Sequence, residues 1–190
     1  MHTTNKIISK LLSASLIMIM LILSNIATAQ NLSSEKGTTS LGIGLGLPYG
    51  GIIGGKLSHN VQDNFSIFGG LGYNFIGVGF NAGLTYTVPT EKLTELYFTG
   101  MYGYNAVINI EGMPQYQKTY YGPSLGSGLK FNSRRKKGSY WDLGIMIPIR
   151  GSNYKNDIED IENNPMITIE TKPWPVQFYF GYNFTIGSKN

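Results

Sequence analysis

The chain has no cysteine and only two histidines among its 190 residues. The first absence excludes a disulfide framework and a lipid-modified cysteine, so whatever stabilises the fold is not a covalent staple. Charge is scarce too, at 14% of residues, with 15 basic against 11 acidic side chains. A nucleic-acid binder needs a basic stripe; the one dense run, Arg134 to Lys137 inside NSRRKKGS, reads as a solvated turn. No apolar stripe of helical period and useful length follows residue 29, which argues against a helical domain.

What is present begins with Lys6 and Lys10, an apolar run from Leu11 to Leu23, and Ala27-Thr28-Ala29 ahead of Gln30. That is the layout of a secretory signal peptide with an A-x-A cleavage site. Its apolar core of 13 residues, interrupted by Ser13 and Ser15, is shorter than the roughly 20 that cross a membrane as a helix. The expected organisation is a cleaved signal peptide at 1–29, a short N-terminal periplasmic segment at 30–37 and one domain at 38–190. Loss of Lys6 and Lys10 leaves that mature chain nearly balanced in charge.

The domain alternates. VQFYFGYNFTI places Val176, Phe178, Phe180, Tyr182, Phe184 and Ile186 on one face of an extended strand and mostly small or polar residues on the other. The same pattern recurs at Leu41–Leu47, more weakly at Gly51–Ser58, and at Asn64–Tyr73, Gly77–Val88, Thr94–Asn105, Thr119–Phe131 and Ser139–Pro148. Strands of about ten residues suit a tilted membrane strand better than the soluble mode of about five or six. HNVQDN, PTEKLT and NSRRKKG are short polar links after the even strands, whereas 106–118 and 151–174 are long. Short turns on one side and longer loops on the other mark a membrane barrel, and an even strand count leaves both ends on the short-turn, periplasmic side. Aromatics at strand margins, including Phe65, Tyr73, Tyr102, Tyr104, Tyr121, Phe131 and Trp141, suit interfacial girdles.

The second face carries Gly42, Gly44, Gly46, Gly70, Gly72, Gly79, Gly83, Gly122, Gly126, Gly128, Gly144 and Gly181 with few charges. It is too bare for the exterior of a soluble lipocalin-like barrel and suits the narrow inside of an eight-strand barrel, filled by side chains. The expected fillers are Phe68, Tyr97, Met101, Tyr120, Tyr140 and Tyr179. The fold class is thus all-β, an eight-stranded antiparallel up-and-down transmembrane barrel.

The A-x-A signal, the LGIGLGLPYGG opening, the GGLGYN and GVGFNAGLTYTV strands and the aromatic last strand resemble the small outer-membrane β-barrel family, the OmpA/OmpX-like group, particularly its members in Bacteroidetes-type bacteria. The likeness covers residues 38–186 and lies in strand pattern rather than in a functional motif. It implies an outer-membrane location, contact with outer-membrane lipid and lipopolysaccharide, and handling by the barrel assembly machinery. One departure concerns the last partner: such barrels end on an aromatic residue, whereas Phe184 is followed here by Thr185 and Ile186.

Four charges fall on the inner face. If NSRRKKG closes its hairpin symmetrically, Lys130 lies opposite Asp142, with Phe131 beside Trp141; Lys56 and Glu95 share that face near the same end. Burying such charges unpaired is costly. Either the four pair as a plug that blocks water, or some stand hydrated at the mouth.

Catalysis has little support. His59 falls in the SHNVQDN turn next to Ser58, and adjacent strand residues point to opposite faces, so the two do not make a nucleophile and base pair; no catalytic residue, cofactor or metal is expected. The outer loop holds Asp157, Glu159, Asp160, Glu162 and Glu170, which lack EF-hand spacing and read as a hydrated acidic loop. Its MITIET run is a candidate strand edge for a partner. The sequence points to a structural or surface-interaction protein with a plugged lumen and an unknown external ligand. A narrow pore is the alternative and a lipid-modifying enzyme a distant one.

Overall fold

A computed structural model describes residues 35–110, 117–136, 138–164 and 174–187. The expected signal peptide lies outside the described residues. Eight strands form one closed antiparallel barrel in sequence order: β1 Thr39–Gly46, β2 Gly51–Gln62, β3 Phe65–Tyr73, β4 Val78–Thr87, β5 Thr94–Ile108, β6 Lys118–Asn132, β7 Tyr140–Pro148 and β8 Gln177–Gly187. Closure is made by β1 on β8, with Leu41 opposite Phe184 and Gly44 opposite Gly181. No edge is left exposed, which removes the usual hazard of an unpaired strand.

Alternation drives this arrangement because its period of two gives every strand one apolar face outward. Ile43, Leu71, Phe80, Phe98, Leu125, Ile145 and Phe178 are exposed, and every strand contributes to the band. At one end, Asp63–Asn64 and the links 88–93 and 133–139 are short, and Thr39 lies beside Gly187. Asn64 takes a left-handed φ of 67°, which asparagine tolerates in a tight turn. β5 and β7 finish at the opposite end, where the long connections to β6 and β8 begin.

Three details depart from the alternating pattern. Tyr104, expected outside with Tyr102, is buried inside; Gly103 has φ 153° and the β5–β6 register slips between Tyr104 and Ala106. The bulge adds a residue and reverses which side chains face inward beyond it. Leu47, expected on the lipid-type face of β1, belongs instead to a 3₁₀ turn, Leu47–Tyr49, whose three residues are all buried. His59, expected in a turn, lies within β2 and shares a 2.9 Å hydrogen bond with Thr39.

The helix α1, Ser152–Glu162, has no counterpart in the sequence reading. Tyr154, Ile158 and Ile161 fall on one helical face, and Tyr154 and Ile161 are buried against Ala106, Ile108 and Tyr120 at the outer ends of β5 and β6. Three apolar positions in an otherwise charged segment make a stripe too short to stand out in sequence. Among the described residues no helix is long and apolar enough to cross a membrane.

Candidate functional site: the charged lumen

The inward faces of the strands build the site. Lys56, Glu95, Lys130 and Asp142 are all buried, at 7%, 1%, 6% and 1% exposure, so the reading in which some stand hydrated at the mouth does not hold. Register sets Glu95, Lys130 and Asp142 side by side on β5, β6 and β7, with Phe131 beside Trp141 as expected. The ion pair, however, is not between strand neighbours. Lys56 reaches from β2 across the lumen to Asp142 Oδ2, while Lys130 donates to Thr87 Oγ1 at 2.8 Å. Two ammonium groups and two carboxylates leave the cluster electrically balanced, which offsets part of the desolvation cost of each.

Aromatic rings complete the cluster. The Lys56 ammonium lies 4.6 Å from the Tyr49 ring centroid, and that of Lys130 lies 5.2 Å from Tyr140 and 5.7 Å from Tyr97. Ring faces attract cations, more so out of water. The Tyr49 hydroxyl donates to Asp142 Oδ1 at 2.6 Å and accepts from Asn183 Nδ2 at 3.0 Å. Between Lys56, Lys130, Thr85, Tyr97, Tyr140 and Asp142 a cavity of about 20 Å³ remains, room for one water.

Five of the six expected fillers, Phe68, Tyr97, Met101, Tyr140 and Tyr179, are buried in the lumen, whereas Tyr120 is buried at the outer end of β6 beneath α1. Sequence reasoning missed a larger one: the Leu47–Tyr49 turn itself folds into the lumen. Asn81 Nδ2 donates to the Leu47 carbonyl. A β-carbon at Gly70 would strike the Pro48 carbonyl, one at Gly54 or Gly72 the Tyr49 carbonyl, one at Gly79 the Gly50 carbonyl, and one at Gly44 or Gly181 the Tyr49 ring. The inner glycines of five strands are therefore the seat of an infolded main-chain segment. Gly128 and Gly144 make room in the same way for the Tyr179 hydroxyl, and Gly128 also for that of Tyr97. The signal available in sequence was the coincidence of a Pro-Tyr pair between glycines with a glycine-lined interior.

The outer acidic residues do not converge. Asp157 binds Lys118 Nζ at 2.5 Å and accepts from the Tyr120 hydroxyl at 2.5 Å, which holds its carboxyl below the ordinary value of 3.8, Lys118 first and Tyr120 second. Glu159, Asp160 and Glu162 are exposed on α1 rather than in an irregular loop, and Glu170 and the MITIET run lie outside the described residues. Among the described residues no group of three or more acidic or imidazole side chains is placed to hold a metal. Ser58 is buried on the luminal face and His59 lies on the other.

No protein-family model, curated protein or solved structure matches the chain.

Proposed function

We propose that this barrel is an integral protein of a bacterial outer membrane, of the OmpA/OmpX-like kind, with its short turns and both ends in the periplasm. One observation carries the reading: the closed wall presents a continuous belt of exposed Leu, Ile, Phe and Trp around its circumference. Soluble monomers rarely expose contiguous apolar patches beyond a few hundred Å², whereas lipid is a solvent in which such a face is at rest. Aromatic margins support it further. Trp141 stacks on Phe180 at 5.0 Å and tilts against Tyr182 at 4.8 Å near the short-turn end, and Phe80 meets Tyr121 at 5.0 Å toward the other.

Its role is structural or one of surface interaction, without catalysis, through the outer end where α1 exposes Glu159 and Asp160 and where Trp174 is 65% exposed. Outer-membrane lipid and lipopolysaccharide are its surroundings and the barrel assembly machinery its route there. A permanently open pore is the weaker reading, because the Leu47–Tyr49 turn and the luminal tyrosines fill the interior. The test is an unboiled against boiled gel of a fractionated envelope. An outer-membrane band whose mobility shifts on boiling is expected; an unshifted band in the soluble periplasm overturns the proposal.

A further inference from the structure

The small luminal cavity has a lining whose charges do not cancel. Lys56, Lys130 and Asp142 border it, whereas Glu95, the fourth member of the balanced cluster, does not. Two ammonium groups against one carboxylate leave the lining one positive charge in surplus. Both oxygens of that carboxylate are already engaged, Oδ1 by the Tyr49 hydroxyl and Oδ2 by Lys56. Glu95 faces Lys130 in register and offsets part of that ammonium's charge from outside the cavity.

Hydroxyl groups stand around these charges. Thr85 donates to Thr99 Oγ1 at 3.3 Å and Thr99 to the Leu84 carbonyl at 3.0 Å, so both threonines spend their protons within the wall. Ser58 on β2 and Ser66 on β3 border the same cavity and are each 7% exposed. Among the described residues neither side chain has a hydrogen-bond partner. Buried polar groups are bonded as a rule, so these two donors call for an acceptor in the space they border. A water accepts from them but leaves the surplus charge uncompensated, which is costly out of bulk solvent. An anion answers both needs. The cavity of about 20 Å³ exceeds the roughly 10–15 Å³ that one water requires, which suits a monatomic ion and excludes a tetrahedral oxyanion.

We propose that this cavity is a binding site for a single halide ion, chloride in ordinary surroundings, held by the Ser58 and Ser66 hydroxyls and the Lys56 and Lys130 ammonium groups. The ion ties β2, β3 and β6 together from inside and stabilises the folded barrel by mass action. The site concerns the interior alone, so it stands whichever solvent bathes the outer wall.

The test is equilibrium dialysis of radiolabelled chloride against the full chain folded in a nonionic detergent, with gluconate as the background anion. One saturable site per chain is expected, displaced by bromide and untouched by sulfate. Ser58→Ala combined with Ser66→Ala should weaken chloride binding at least tenfold, because two charge-assisted bonds are lost. Should the double variant fail to fold, the single variants decide, each weakening binding several-fold. Folded wild-type protein that takes up no chloride has a cavity holding water alone and overturns the proposal. Chloride binding that survives loss of the hydroxyls marks an adventitious surface ion only and overturns it equally.

Discussion

At the scale of single residues, the lumen is governed by one carboxylate and the groups that share it. Asp142 serves Lys56 and Tyr49 at once, so Asp142→Asn strands an ammonium in a buried site. Removing one partner of such a pair costs about 3–5 kcal/mol, while replacing both by apolar residues is often close to neutral. Urea unfolding in detergent should therefore show a large loss for Asp142→Asn and a much smaller one for Lys56→Met with Asp142→Leu. Equal losses would show that the pair is not what the barrel depends on. Gly181 gives a steric counterpart. An added methyl there overlaps the Tyr49 ring, and overpacking of this kind costs about 1–3 kcal/mol. Combining Gly181→Ala with Tyr49→Leu should recover part of that loss, a non-additivity that independent sites do not show.

At the scale of elements, α1 is the one that the barrel pattern does not require. It docks through Tyr154 and Ile161, with Tyr154 edge-on to Tyr120 at 5.2 Å, and through the exposed Lys118 and Asp157 pair. Ile161→Ala should speed amide exchange across Ser152–Glu162 at least tenfold and leave protection in β1–β8 unchanged, since local opening and global unfolding are separate events. Acid acts here in a defined direction. Because Asp157 titrates below its ordinary 3.8 when docked, its contribution is complete above that value and fades as pH falls through the lower, docked one. Protection of the α1 amides, corrected for the intrinsic pH dependence of exchange, should fall below about pH 4 in the wild type, following the ordinary carboxylate range, and Asp157→Asn should show the same low protection at neutral pH as in acid. A pH-independent wild type would remove this role.

At the scale of the whole molecule, the question is which solvent the outer face meets. In lipid the cost of a charge depends on depth: Lys at the midplane costs about 2–4 kcal/mol and near an interface about 0–1. Leu143 lies in the middle of β7 and Ile186 at the end of β8, both exposed. Leu143→Lys should therefore destabilise refolding into lipid vesicles several times more than Ile186→Lys. If water bathed the wall, both substitutions would be neutral or favourable.

The strand count, order, facing and even the Lys130–Asp142 register were legible in sequence because each follows from local alternation and from the length of the links between strands. The luminal position of the four charges followed as well, since parity along a strand decides it. Three things were not legible there. The positive φ of Gly103 beside the inward Tyr104, and the bulge between Tyr104 and Ala106, depend on how two strands accommodate an extra residue, and α1 forms on the platform that β5 and β6 supply. The partner of Asp142 comes from β2, across the barrel, and from a turn folded into it. Alternation assigns a side chain to a face but carries no information about distances across the closed interior, so only the tertiary structure could decide what fills it.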